Sequence, residues 1–291
     1  MNLRTATLDL AYATYGPPSG PPVILLHGYP YAPDCFAILG AALGAAGHRV
    51  IVPALRGFGG TRLRPGAPHS GQQAAIAQDV LDLMEGLSIE RAALAGFDWG
   101  GRAACIVAAL QPHRVRALVA GGGYLIQNLS LAGTPLPPAA EHRHWYQHYF
   151  CTPRGAAALT ADAGGFARYL WRLWSPHWDF SEDEFSSTAR AFDNPDHVEI
   201  VLHSYRHRLG QAPGFPAYAE MEAALAATPA ISVPTLALFG EADGVLLPQD
   251  DSRHFTGPYK RLVLPLVGHN PFQEAPDLCL DIMNAFLAAH A

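Results

Sequence analysis

Charge is scarce in this 291-residue chain. Only 15% of its residues are Asp, Glu, Lys or Arg, against 49% hydrophobic. A disordered chain needs far more polarity to stay solvated, so disorder is excluded and a sizeable buried core is expected, in one or two domains. Cysteine is scarce as well. Cys35, Cys105, Cys151 and Cys279 lie far apart with no Cys-x-x-Cys pair, which excludes a disulfide framework and a cysteine zinc site. A reducing, cytoplasmic setting is the resulting expectation. No apolar run reaches the roughly 18–20 residues that span a bilayer, and residues 1–9 lack the apolar stretch of a secretory signal, so no membrane partner is expected. The formal charge of −6 offers no attraction for a polyanion, and nucleic acid is not an expected partner. Glycine (28) and proline (25) together stay below the roughly 25–30% that marks low-complexity sequence.

What is present is an alternation. Val23-Ile24-Leu25-Leu26, Val50-Ile51-Val52, Ala92-Ala93-Leu94-Ala95 and Ala117-Leu118-Val119-Ala120 read as buried strands. Helical patterns separate them, over about 34–46, 74–87 and 99–110. Continuous apolar strands between helices predict a mostly parallel sheet covered on both faces. Right-handed crossovers then bring the strand C-termini to one edge, where open α/β sheets keep their sites. After Gly121-Gly122-Gly123 the strands vanish, and residues 124–230 turn helical, aromatic and His-rich, with Trp145, Trp171, Trp174 and Trp178. Alternation resumes at Pro234-Thr235-Leu236-Ala237-Leu238-Phe239 and Arg261-Leu262-Val263-Leu264, and a helix over 275–288 follows. The expected organisation is an α/β core domain from residues 1–123 and 232–291, with a helical cap domain, 124–231, inserted over the site edge.

The chemistry sits where strands end. Gly96-Phe97-Asp98-Trp99-Gly100 lies between a strand and a helix and has the form of a nucleophile elbow, glycine–x–nucleophile–x–glycine. An Asp there would attack an electrophilic carbon through its carboxylate and form an ester, whose hydrolysis requires a water-activating base. An Asp at that position also suits a helix N-terminus, so the motif alone leaves both roles open. Asp243, in Phe239-Gly240-Glu241-Ala242-Asp243, and His269, in Val267-Gly268-His269-Asn270-Pro271, also follow strands. The order nucleophile, acid, base is that of an α/β-hydrolase triad, and it favours Asp98–Asp243–His269. His27-Gly28-Tyr29-Pro30 follows the first long strand, so the backbone amides of Tyr29 and Trp99 are expected to form an oxyanion hole.

With these motifs the chain resembles the α/β-hydrolases of the epoxide hydrolase and dehalogenase branch, in which the elbow nucleophile is Asp. The resemblance runs from His27-Gly28-Tyr29-Pro30 to Gly268-His269. One departure is Pro53-Ala54-Leu55-Arg56-Gly57-Phe58-Gly59, where Ala54 stands at a position usually held by Asp. Trp145-Tyr146-Gln147-His148-Tyr149-Phe150 is similar to the cap stretch of epoxide hydrolases that carries their first catalytic tyrosine, and Ser204-Tyr205-Arg206 resembles the second. The resemblance therefore implies Tyr146 and Tyr205 as proton donors to the alkoxide of an opening epoxide. Trp145, Gln147, Phe150 and Arg102 are expected near the substrate.

The implied activity is conversion of a small apolar or aryl epoxide to a vicinal diol, with no metal and no organic cofactor. His144 and His148, four apart, lack a third ligand. The runner-up is a haloalkane or haloacetate dehalogenase with the same triad: Trp99 follows the nucleophile, Arg102 matches the second of two arginines of fluoroacetate dehalogenases, and His144-Trp145 resembles a pair in their cap. A small-ligand receptor on the same fold is a third reading. A homodimer is compatible with all three.

Overall fold

The computed structural model describes residues 1–290. Nine strands form one sheet: β1 (Asn2–Arg4), β2 (Leu8–Tyr15), β3 (Pro22–Leu26), β4 (Arg49–Pro53), β5 (Arg62–Leu63), β6 (Ala92–Phe97), β7 (Val115–Gly121), β8 (Thr235–Gly240) and β9 (Tyr259–Leu264). The order across the sheet is β1-β2-β4-β3-β6-β7-β8-β9, with β5 paired to β2. From β4 to β9 all pairings are parallel, while β1, β2 and β5 pair antiparallel. The antiparallel strands are absent from the sequence expectation. Central strands are buried on both faces and read as apolar runs, as β6 does at every residue. β2 instead buries Leu8 and Leu10 while its later residues are partly exposed, a pattern without a run of hydrophobic residues.

Three helices pack in the first half, α1 (Ala37–Ala45), α2 (Gln73–Gly86) and α3 (Asp98–Leu110). Between β7 and β8 come seven short ones, α4 (Pro138–Arg143), α5 (Trp145–Cys151), α6 (Pro153–Ala161), α7 (Ala163–Trp174), α8 (Glu182–Ala189), α9 (His197–Arg208) and α10 (Ala219–Leu225). The chain closes with α11 (Pro271–Glu274) and α12 (Pro276–Ala289). No helix among the described residues is long and apolar enough to cross a membrane.

The helices between β7 and β8 lie over the C-terminal edge of the sheet, and α7 shows why. Ala167, Leu170, Trp171 and Trp174 recur at helical spacing and are all buried, giving one apolar stripe toward the sheet. Each large side chain removed from water contributes about 1.5–3 kcal/mol. Asp162 caps the helix start by accepting from the Gly165 amide. Two hydrogen bonds fix its end in register: Trp171 Nε1 donates to the Pro30 carbonyl at 2.9 Å, and the Gly244 amide to the Trp174 carbonyl at 3.0 Å.

β3 and β6 are adjacent parallel strands whose neighbours on either side, β4 and β7, come from opposite directions along the chain. This is the switch point at which a doubly wound sheet opens a crevice beyond its strand C-termini. His27-Gly28 leaves β3 there, and Asp98 leaves β6.

Candidate active site

Asp98 has φ of +49°, in the left-handed region that costs a non-glycine residue roughly 1–2 kcal/mol. The turn is held by its surroundings. A Cβ at Gly100 would lie 2.2 Å from the Leu26 carbonyl oxygen, and one at Gly28 would lie 2.4 Å from the Asp98 Cβ. The two loops can therefore meet only if both positions are glycine. Their closeness aims the Asp98 carboxylate off the sheet edge, and the Tyr29 amide donates to Asp98 Oδ1 at 2.8 Å.

The loops after β8 and β9 also touch. His269 Nδ1 lies 2.9 Å from Asp243 Oδ2, and Asp243 Oδ1 accepts from the amides of Val245 (2.8 Å) and Leu246 (2.9 Å). A carboxylate only accepts, so Nδ1 carries the proton and Nε2 is left as the acceptor. Nε2 is buried without a partner among the described residues and stands 3.9 Å from Asp98 Oδ2. Burial opposes charging of the His269 ring, but the carboxylates of Asp243 and Asp98 outweigh it and hold its pKa above the ordinary histidine value.

A cavity of about 210 Å³ opens between this edge and the helices above, walled by Asp98, His269, Tyr146, Gln147, Arg102 and Arg208. Larger hollows exist, one of about 530 Å³ between β9 and α12, but that one touches none of Asp98, Asp243 and His269. Tyr146, on α5, is buried, and its hydroxyl accepts from Gln147 Nε2 at 3.0 Å, which leaves the phenolic proton free to be donated. Burial, followed by the negative charge of Asp98, pushes its pKa up to about 12. Tyr205, on α9, stands beside it with ring centroids 5.3 Å apart and planes nearly perpendicular. Burial raises the Tyr205 pKa well above 10 as well.

The sequence-expected residues therefore divide. Asp98, Asp243, His269 and the Tyr29 and Trp99 segments come together, and Tyr146, Gln147 and Arg102 join them. Tyr205 adjoins Tyr146 but does not itself wall the cavity. Trp145 and Phe150 are not part of the wall either. Trp145 packs against Tyr149 and Phe166 on the far side of α5, and Phe150 is fully buried against Tyr29, Tyr205 and Phe166. Trp171 and Trp178 pack within the helices between β7 and β8: Trp171 is fully buried among Tyr31, Trp178, Phe180 and Phe185. His144 and His148 do not share one helix, because α4 ends at Arg143 and α5 begins at Trp145. His148 pairs with Glu141, while burial, helped by Arg208, lowers the His144 pKa to about 4.

Sequence reasoning missed three residues. Glu274, on α11, accepts from Ser175 Oγ (2.6 Å), the Gly268 amide (2.6 Å) and the Asn270 amide (2.8 Å). Ser175 Oγ in turn accepts from the His269 amide at 3.1 Å, so the loop carrying the base is clamped from both sides. Arg208, the last residue of α9, walls the cavity. Ser175 and Arg208 carried no motif. Glu274, four residues past Asn270 and acidic inside a short helix, was the one visible signal.

A sheet opened at its switch point, with an acid elbow and an acid–histidine pair at one edge, defines a hydrolase site of the α/β class. The family model for the alpha/beta hydrolase fold matches residues 21–276, and the chain belongs to that family. The crystal structure of a Klebsiella pneumoniae protein provisionally assigned as an epoxide hydrolase is similar, with a TM-score of 0.96 and 47% identity over 99% of this chain and 97% of that one. Epoxide hydrolase A of Mycobacterium tuberculosis is 29% identical over 294 residues, 90% of this chain and 88% of its own. A haloalkane dehalogenase of Mycolicibacterium paratuberculosis is 28% identical over 243 residues, 83% of this chain and 74% of its own. Against epoxide hydrolases 2 and 3 of Siraitia grosvenorii the chain spans about half their length or less, 50% and 40%.

Proposed function

We propose that this chain is an epoxide hydrolase that opens a small epoxide through an Asp98 ester and releases a vicinal diol. One observation carries the reading. The two oxygens of Asp98 are differentiated, Oδ1 by the Tyr29 amide and Oδ2 by facing His269 Nε2 at 3.9 Å beneath Tyr146. Oδ2 is then the attacking atom. As its bond to the epoxide carbon forms, the ring C–O bond breaks and the alkoxide takes the Tyr146 proton, with Tyr205 standing behind Tyr146 as the second phenol of the pair. A phenol held above its usual pKa stays protonated until that moment.

Oδ1 becomes the ester carbonyl oxygen. His269 Nε2 removes a proton from water, the hydroxide attacks the ester carbon, and the charge that develops on Oδ1 is met by the amides of Tyr29 and Trp99. Asp243 keeps the imidazole in the tautomer this step needs. Collapse breaks the bond between Oδ2 and the Asp98 carboxyl carbon, the departing diol oxygen takes the proton held on His269, and the remaining water-derived proton passes from the Asp98 carboxyl group to the Tyr146 phenolate, which restores the carboxylate and the phenol. No step calls for a metal or an organic cofactor. The proposal includes the division into a core of residues 1–123 and 232–291 and a cap of 124–231, with the substrate held between them.

The test is intact-protein mass spectrometry of a His269→Gln variant incubated with epoxides and, separately, with haloacetates. Without its base the enzyme should stall at the first intermediate, gaining the mass of one whole epoxide on the peptide that contains Asp98. A carboxymethyl adduct with halide release would replace the reading by a dehalogenase. A gain of mass on any other peptide would remove Asp98 from the scheme.

A further inference from the structure

Asp251, in the connection between β8 and β9, is a carboxylate that the ring-opening scheme does not use. It is 3% exposed and belongs to none of the ion pairs among the described residues. Burying a carboxylate without a cation is costly unless hydrogen bonds replace the water it loses. Two do so here. Oδ2 accepts from the Tyr124 amide and Oδ1 from the Tyr259 hydroxyl, each at 2.5 Å. Burial, followed by the bond to Asp251, raises the Tyr259 pKa, so that hydroxyl remains a donor across the neutral range. The chain makes room for the carboxylate at Gly123, whose φ is +75° and where a Cβ would lie 2.1 Å from Asp251 Oδ2.

At Tyr124 the chain leaves β7 for the helices above the sheet, and over residues 229–231 it returns toward β8. Asp251 and the residues just after it hold both crossings. The Tyr124 ring stacks on His254, with centroids 4.0 Å and planes 11° apart, and its hydroxyl donates to the Pro229 carbonyl at 2.9 Å. Ile231 is fully buried; its amide donates to the His254 carbonyl and its carbonyl accepts from the Thr256 amide, both at 2.9 Å. The outgoing crossing leads straight into the site. Tyr124, Leu125 and Ile126 wall the cavity, and the next α-helices along the chain are α4 and then α5, which carries Tyr146. α5 rests on α6 and α9, which belong to the same inserted segment, so its height above the sheet depends on how that segment is anchored. The bonds of α7 to Pro30 and Gly244 anchor the middle of the segment, and the clasp at residues 251–256 anchors both its ends.

We propose that Asp251 is a positioning residue for ring opening, which by clasping both crossings sets Tyr146 at the height above Asp98 from which it donates its proton. This rests on the ring-opening reading above and adds a residue to it. The two halves of the scheme depend on the clasp differently. Ring opening needs Asp98, from the sheet edge, and Tyr146, from the inserted segment, to reach one substrate together. Ester hydrolysis uses His269, Asp243 and the amides of Tyr29 and Trp99, all at the sheet edge. A misplacement of about 1 Å costs a reacting group up to about a hundredfold in rate, and here it falls on the first step alone.

The experiment follows the Asp98 ester by rapid quench and intact-protein mass spectrometry, with 1,2-epoxybutane and with styrene oxide. Ester formation is read at a pH low enough to keep His269 charged, so that the ester accumulates, and ester decay is read after a jump to neutral pH. Asp251→Asn turns one of the two acceptors into a donor, and Tyr124→Phe keeps the stacked ring but severs the bond to Pro229. Each should slow ester formation by about tenfold or more and leave ester decay unchanged. Should Asp251→Asn fail to fold, Tyr124→Phe carries the same comparison. Equal slowing of both steps, or ester formation in Tyr124→Phe as fast as in the wild type, would overturn the clasp and leave ring opening standing. If neither epoxide gives an ester on the wild type, ring opening is what falls, and amide hydrogen exchange decides the clasp. Faster exchange at position 231 in Tyr124→Phe, with β6 unchanged, supports it; unchanged exchange there overturns it.

Discussion

At the scale of single residues, the strained φ of Asp98 and the raised pKa of His269 each come from a pair of loops held together at the sheet edge, those after β3 and β6 for Asp98 and those after β8 and β9 for His269. In the proposed scheme His269 acts only when neutral, and the neighbouring carboxylates hold its pKa above 6.5 in the free enzyme. The neutral fraction therefore falls as pH drops through that raised value. Single-turnover decay of the Asp98 ester should slow toward low pH along one titration of His269, shifted to lower pH than in the free enzyme because the esterified Asp98 no longer carries its charge. No alkaline loss of the ring-opening step is expected below about pH 10, because Tyr146 gives up its proton only near pKa about 12. Decay that does not slow toward low pH would mean that His269 is not the base of this step. Glycine–x–Asp–x–glycine was legible as an elbow because only glycines admit such an approach. The roles of Asp98 Oδ1 and Oδ2 were not, since they depend on which oxygen meets an amide from another loop.

At the scale of elements, α11 and the end of α7 form a clamp on the loop that carries His269. The Glu274 carboxylate takes three hydrogen bonds there, one from Ser175 at the end of α7 and two from the loop itself. Its negative charge also adds to the upward shift of the His269 pKa. Glu274→Gln keeps the size but removes the charge and sets an amide group against a donor. Ester hydrolysis should fall by about tenfold or more, as small misplacements of a reacting group do, and the acid limb of its pH profile should move to lower pH. A purely structural role would slow the reaction without moving that limb. The helices themselves were legible in sequence from their apolar stripes, and the central strands from their apolar runs. β1, β2 and β5 were not: β1 and β5 are only three and two residues long, and the eight-residue β2 is partly exposed beyond Leu10, so none shows such a run.

At the scale of the whole molecule, Arg56 ties the two halves of the chain together. It is fully buried, pairs through Nε and Nη2 with both oxygens of Asp79, donates to the Ser70 and Ala75 carbonyls, and reaches the Tyr218 hydroxyl in the segment between β7 and β8. The charge of Arg56 is thus met by Asp79 on α2; nothing in the structure explains Ala54. Asp79→Ala would leave a buried cation unpaired and should cost about 3–5 kcal/mol, seen as a lower urea midpoint of unfolding. A change under about 1 kcal/mol would mean that water or a shifted partner replaces the carboxylate.

The amino-acid sequence by itself determined the alternation of buried strands and helices, the interruption after β7, and the residue types that end β3, β6, β8 and β9. These are local matters, because periodicity and glycine tolerance are properties of short segments. Tertiary structure alone decided which of the aromatic residues face the cavity. Tyr146 reaches the cavity while Trp145 and Phe150, on the same short helix, pack elsewhere, because the direction of a side chain depends on what the helix rests against. It also decided that Arg102 and Arg208, 106 positions apart in the chain, share one wall. Side chains so distant in sequence meet only when the sheet opens at its switch point and the cap folds back over it.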